Sequence, residues 1–215
     1  MYKLILADDH VLLRDALANL INKFDNFSVT ALADNGREII NHVENGVTAD
    51  IVLMDLNMPV MDGFEAAKWL VKNKPDMKII ILTMYDSEIA LIRMLQAGVD
   101  GFLKKDINPN ELKLALLTVA EGDYYYSNHM TVKIASLFKT NEFNQSNLDR
   151  SILNDIEIEF LKLASTEMTY KEIAQKMHLS PRNIDSYRDA LFSKLDVKSR
   201  VGLVIYAVKN GIVTF

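Results

Sequence analysis

Lys78-Ile79-Ile80-Ile81-Leu82-Thr83 (KIIILT, residues 78–83) places four large aliphatic side chains in succession with no polar residue between them. A strand with one wet face alternates apolar and polar residues, whereas a short run that is apolar at every position suits a parallel strand covered on both faces. Similar short runs recur on either side: KLILA (3–7), SVTALA (28–33), DIVLM (50–54) and GFLK (101–104). The stretches between and after them, 11–24, 36–45, 63–73, 86–96 and 108–121, carry apolar residues at three- and four-residue spacing, as helices that cover a sheet must. Five such alternations predict an α/β fold with a doubly wound, five-stranded parallel sheet, whose functional edge is the carboxyl ends of the strands.

After Gly122 the pattern breaks. YYYSNHMTVKIASLFKTNEFNQSNLDR holds one short helical candidate, 130–138, followed by an Asn-rich polar tract, and reads as a linker. From about residue 149 the segments are short and helical, near 155–164, 169–178, 180–195 and 199–210. The expected organisation is therefore a first domain over 1–122, a linker over 123–148 and an all-α second domain over 149–215.

Composition bounds the function classes. With 49% hydrophobic and 25% charged residues, 8 Gly and 4 Pro, the chain has the makeup of a folded globular protein. The absence of cysteine excludes disulfides, thiolate metal sites and a cysteine nucleophile, and fits a reducing, cytoplasmic setting. The opening apolar run meets Asp8 and Asp9 at once, and no later stretch has the length of a membrane span, so neither a signal peptide nor a membrane partner is expected. Of the 24 Lys/Arg and 29 Asp/Glu, ten and nine fall within 149–215. The remainder therefore carries 14 basic and 20 acidic residues, a net −6, while 149–215 is near neutral at +1.

Polar features follow four of the predicted strands: Asp8 and Asp9 after the first, Asp55 after the third, Thr83 at the end of the fourth and Lys105 after the fifth. The topology gathers them at one edge. Three carboxylates so close repel one another unless a hard cation neutralises them, and Mg²⁺ suits a site of a few oxygens completed by water and phosphate. A carboxylate can attack a phosphoryl group to form an acyl phosphate, and a metal and a lysine stabilise the oxygens. Asp55, the middle acid, is the natural acceptor. In D-L-N-M-P-V-M-D-G (55–63) the turn residues bring a backbone carbonyl near Asn57 within reach of the same cation, and Thr83 has a hydroxyl to offer a phosphoryl oxygen. Taken singly, Asp8 or Asp9 reads equally as a helix cap, Asp55 as a turn former, Thr83 as a strand residue, and Lys105 as a solvated lysine beside Lys104. Their coincidence favours the phosphoryl site.

The Asp8/Asp9 pair, D-L-N-M-P-x-M-D-G, L-T-M at Thr83 and G-x-D-G-F-L-K-K-D resemble a receiver domain over residues 1 to about 122. The resemblance implies Asp55 as phosphoacceptor, Asp8, Asp9, Asp55 and the Asn57 carbonyl as the Mg²⁺ site, and Thr83 with Lys105 as phosphoryl ligands. It prefers Lys105 to Lys104 because Asp106 follows directly. Phe102 stands at the family's aromatic switch position, paired with Thr83, and reads equally as a core aromatic. Many receivers have proline where this chain has Asp106.

In the second domain T-Y-K-E (169–172) matches a capping box, and Leu179-Ser180-Pro181 supplies a turn, an N-cap and a first-turn proline. Two helices joined so tightly form a helix-turn-helix. On the second, Ile184, Tyr187, Leu191 and Leu195 face inward, leaving Arg182, Asp185, Ser186 and Asp189 at i, i+3, i+4 and i+7 to face the major groove or solvent. E-I-E-F-L-K-L-A (157–164), Y-K-E-I-A-Q-K-M-H-L-S-P-R-N-I (170–184) and F-S-K-L-D-V-K-S-R (192–200) resemble the LuxR-type domain of NarL/FixJ response regulators over 150–212. Asn183 replaces the usual threonine, and Asp185 and Asp189 stand where basic residues are frequent. Acids there repel phosphates but accept a hydrogen bond from cytosine N4. Phosphate contacts then fall to Lys171, Arg182, Arg188, Lys198 and Arg200, with the hydroxyls of Thr169 and Ser180 at helix N-termini.

The resemblance implies a two-component response regulator and transcription factor rather than an enzyme. Its partners are a histidine kinase, double-stranded DNA and, when active, a second copy of itself through the last helix (Val201, Val204, Ile205, Val208). Rival readings are a regulator that works without phosphorylation, a protein-interaction module, and an aspartyl-phosphate phosphohydrolase. The last would place an acid two residues after its nucleophile, where this chain has Asn57.

Overall fold

The computed structural model describes residues 1–84, 88–127, 131 and 153–213, and the chain divides into two compact units. The helix expected over 130–138 lies outside the described residues save for Thr131, as do the first two residues of that expected over 86–96.

Over residues 1–127 β1 (Tyr2–Ala7), β2 (Phe27–Ala33), β3 (Ile51–Asp55), β4 (Lys78–Thr83), β5 (Gly101–Lys104) and β6 (Tyr125–Tyr126) alternate with α1 (Val11–Ile21), α2 (Gly36–Glu44), α3 (Gly63–Asn73), α4 (Glu88–Ala97) and α5 (Pro109–Ala120). The strands are ordered β2-β1-β3-β4-β5-β6, and each pair is parallel. Six strands replace the five expected. The sixth is the pair Tyr125–Tyr126, which bonds to Gly101 and Phe102 from within the stretch read as linker. Two residues are too few to show any periodicity.

The uninterrupted apolar runs are buried as their pattern requires: Leu4–Ala7, Ile51–Met54 and Ile79–Leu82 are at most 2% exposed. Alternate residues serve two layers. Leu4, Leu6, Ile51, Leu53, Ile80, Leu82 and Leu103 pack with Ala18 and Ile21 of α1 and Leu112, Ala115, Leu116 and Val119 of α5. Ile5, Val52, Met54, Ile79, Ile81 and Phe102, also buried, point to the other face. Each such Ile or Leu contributes about 1.5–3 kcal/mol of burial. The order of strands places the switch point between β1 and β3, so the loops leaving these two strands diverge and open a crevice at their carboxyl ends.

The second unit comprises α6 (Asp155–Ala164), α7 (Tyr170–Lys176), α8 (Pro181–Lys194) and α9 (Arg200–Lys209). Phe160, Leu161, Ile173, Ile184, Leu191, Leu203 and Ala207 form its core. The capping box at Thr169 is present, with Glu172 accepting from the Thr169 amide at 2.7 Å, and a second joins Asn154 to Glu157. Ser180 caps α8 through the Asn183 amide at 3.2 Å. Between α7 and α8, His178 takes a left-handed conformation (φ 55°) and Leu179 N–H returns to the Ala174 carbonyl at 2.9 Å, which closes the turn of the helix-turn-helix. Among the described residues no helix is long and apolar enough to cross a membrane.

Candidate functional site

Strand register brings the acids together. Ala7 pairs with Met54, so Asp8 leaves β1 beside Asp55 at the end of β3, and Thr83 at the end of β4 pairs with Lys104. The Lys105 amide then donates to the Thr83 carbonyl at 2.9 Å, which anchors the residue after β5 over the same edge. Asp8, Asp55 and Thr83 are buried, 0%, 5% and 0% exposed. The Lys105 ammonium lies 2.8 Å from Asp8 Oδ2 and 2.8 Å from Asp55 Oδ2. Lys104 instead lies 3.5 Å from Asp106.

The electrostatics follow from burial. Asp55 has its pKa raised by desolvation, against which Lys105 and the Leu56 amide work to lower it and Asp8 to raise it further. Burial alone would lower Lys105, but its hydrogen bonds to Asp55 and Asp8 and their charges outweigh that, and its pKa is raised. Carboxylate oxygens of Asp8, Asp9 and Asp55 and a ring nitrogen of His10 all lie within 4.8 Å of one another. Neighbouring ligands of an octahedral ion with bonds of about 2.1 Å are about 3 Å apart and opposite ones about 4.2 Å, so a donor set within 4.8 Å would need only a small contraction to hold one divalent cation. The side-chain nitrogen of Asn57, in the loop after Asp55, is buried without a hydrogen-bond partner.

Four contributors were not legible as site residues in the sequence. His10, not Asp8 or Asp9, occupies the N-cap of α1, and no side chain caps that helix. Its ring Nδ1 sits 3.1 Å from Asp8 Oδ1 and 3.0 Å from Asp9 Oδ1, and its amide donates to Asp8 Oδ1 at 2.9 Å. Arg14, one turn into α1, donates to the Asp8 carbonyl at 3.2 Å and pairs with Asp34, which ties the β1 end to the β2 end. Gly63 is more than a turn residue, because a Cβ there would lie 2.4 Å from the Asp55 carbonyl oxygen. Val60 bends the loop between Asp55 and Gly63 with φ 66°, and Met61 N–H reaches back to the Pro59 carbonyl at 2.7 Å. Only the apposed DDH spelling hinted at His10; the others depend on contacts that no local pattern displays.

In the second unit Thr169, Lys171, Ser180, Arg182, Asn183, Asp185, Ser186, Asp189 and Lys198 are exposed, so the structure leaves these expected contact residues open to solvent. Arg188 and Arg200 are instead half-buried. Arg188 donates from Nη1 to Asp185 Oδ1 at 2.8 Å and from Nε to Asp189 Oδ1 at 2.9 Å, with its guanidinium 5.3 Å from the Tyr170 ring. Arg200 donates to the Ala164 and Thr166 carbonyls at 2.8 and 2.6 Å, where it closes the carboxyl end of α6. Val201 and Ile205 of α9 are exposed, while Val204 and Val208 are half-buried.

Comparison with known proteins bears on both units. Residues 4–117 match the response regulator receiver domain, and residues 151–207 match the bacterial regulatory proteins of the luxR family. The oxygen regulatory protein NreC of Staphylococcus carnosus (strain TM300) is 34% identical over 217 residues, covering 99% of this chain and 100% of that protein. The response regulator ChrA of a heme-sensing two-component system is 25% identical with a TM-score of 0.54, covering 99% of this chain and 98% of that one. The RcsB response regulator of Salmonella typhimurium, 24% identical with a TM-score of 0.70 over 97% of this chain and 98% of that one, shares the fold.

Proposed function

Because this chain belongs to the response regulators that join a receiver domain to a LuxR-type DNA-binding domain, we propose that Asp55 accepts a phosphoryl group from a partner histidine kinase and that the acquired charge controls binding to double-stranded DNA. The family is one of transcription regulators and not of enzymes, so the phosphohydrolase reading falls. In this reading the receiver extends over 1–122, the LuxR-type domain over 149–215 and the linker over 123–148, and the protein acts in the cytoplasm.

The observation that carries the proposal is the buried ammonium of Lys105 set 2.8 Å from both Asp8 and Asp55. It holds Asp55 in place before transfer, and it is positioned to take up charge on a phosphoryl oxygen afterwards. Asp8, Asp9, Asp55 and the Asn57 carbonyl would hold Mg²⁺, which when bound draws charge from the phosphoryl oxygens and the attacking carboxylate. The Thr83 hydroxyl is the second donor to the phosphoryl group. Phosphorylation adds about −1.5 to −2 charge at this edge. Movement of Thr83 toward that charge would be coupled to the packing of Phe102, which is fully buried two strand positions from Lys104. In the second unit Lys171, Arg182 and Lys198 serve as phosphate contacts, with α8 in the major groove. Val201 and Ile205, four residues apart and exposed on α9, support a homodimer in the active state.

The test is Asp55→Asn exposed to acetyl phosphate with Mg²⁺. The wild-type chain is expected to gain a phosphoryl mass adduct and to bind DNA more tightly, and the variant to do neither. Phosphodonor-dependent DNA binding that persists in Asp55→Asn would overturn the assignment.

A further inference from the structure

We propose that Asp185 and Asp189, oriented by Arg188, read cytosine amino groups in the major groove, so that the preferred DNA site carries cytosine on the contacted strand at two closely spaced positions. The inference rests on the DNA-binding reading of α8 and assigns its base chemistry. Arg188 approaches Asp185 through Nη1 at 2.8 Å and Asp189 through Nε and Nη2 at 2.9 Å each, and every one of these contacts falls on Oδ1. Oδ2 of each acid is left as an acceptor on an exposed helix face. The guanidinium edge that would otherwise pair with guanine is used on the acids, and its flat face lies 5.3 Å from the Tyr170 ring. Arg188 is therefore a positioning residue.

The bases then divide by what their major-groove edges offer a carboxylate oxygen. Guanine presents two acceptors and thymine an acceptor and a methyl group, which a carboxylate cannot use. Adenine offers an amino group with an acceptor beside it. Cytosine offers N4–H₂ with no acceptor beside it, and is the match. Four residues of helix advance roughly 6 Å, against about 3.4 Å per base along a strand, so the two positions lie within two base steps. Arg188 also leaves the three side chains with a net charge of −1 rather than −2, which reduces the repulsion between this face and the flanking phosphates.

Selection of sites from a random duplex pool by the full chain with acetyl phosphate, using wild type, Asp185→Asn, Asp189→Asn and Arg188→Met, tests this. Cytosine should be enriched at two positions by wild type. Each asparagine variant should lose that preference roughly tenfold at one position only, in favour of adenine, the base whose edge matches an amide. Arg188→Met should blur both positions together, an effect that a merely structural side chain would not have. One motif common to all four proteins would overturn the inference and leave DNA binding intact. Failure of the wild type to enrich any sequence, with binding insensitive to salt, would overturn the DNA-binding reading as well.

Discussion

Asp8 and Asp55 share one ammonium in a buried pocket, whereas Asp185 and Asp189 share one guanidinium on a helix face open to solvent. The distances are alike, 2.8 Å to each acid in the first case and 2.8 and 2.9 Å in the second. The surroundings are not. Asp8 and Asp55 side chains are 0% and 7% exposed and Lys105 4%, while Asp185 and Asp189 are 55% and 66% exposed. Two cations clamped between pairs of carboxylates at equal range thus differ by the dielectric around them, and charge pairs gain or lose several-fold in energy on that account alone. The buried clamp bears on folding and chemistry together. The exposed one bears on which partner is recognised.

The largest change in stability is expected from Lys105→Ala. It leaves Asp8 and Asp55 facing each other at a buried site without the lysine between them, and removal of one member of a buried pair costs about 3–5 kcal/mol. Urea denaturation of the variant in chelator should show a loss of that size, and millimolar Mg²⁺ should restore part of it. A loss below about 1 kcal/mol would mean that the pocket is wet and that the two clamps do not differ in kind.

Burial also decides which features a sequence displays. The sheet was legible because burial on both faces erases polar residues from strands such as Ile79–Leu82, and convergence of Asp8, Asp55, Thr83 and Lys105 follows once those strands are parallel. Tyr125–Tyr126 escaped because two residues have no period. Arg14 and His10 escaped because their partners are set by how α1 rises from β1. Arg200 was expected on phosphate, yet it reaches carbonyls 34 and 36 residues earlier in the chain, a pairing without a local signature. The Asp185–Arg188 pair at i, i+3 is visible in the sequence, but the guanidinium's second partner and its seat on Tyr170 are not.

Val60 is 83% exposed and yet not neutral. A β-branched residue with φ 66° carries strain of about 1–3 kcal/mol, and the surrounding D-L-N-M-P-V-M-D-G loop must hold it there. Val60→Gly relieves that strain, sacrifices almost no packing, and loses part of the gain to the greater freedom of glycine in the unfolded chain. The net expectation is a gain of about 1 kcal/mol in urea denaturation. No gain would show that the loop relaxes around valine without cost, and exposure alone would then rank the sites.

The smallest expected effect is at Arg188. Its three contacts to Asp185 and Asp189 are short, and by geometry alone they would rank with those of Lys105. Exposed ion pairs nonetheless contribute about 0–1 kcal/mol, because water solvates the separated charges almost as well and two long side chains must be ordered to meet. Methionine at position 188 keeps an unbranched apolar stem of similar length against Tyr170, so the packing part of the interaction is largely retained. Arg188→Met should therefore shift the urea midpoint by an amount equivalent to less than about 1 kcal/mol, and raising the salt concentration should shrink even that difference. A loss as large as that of Lys105→Ala would place Arg188 among the residues that hold the second unit together, and the energetic distinction between the two clamps would no longer stand.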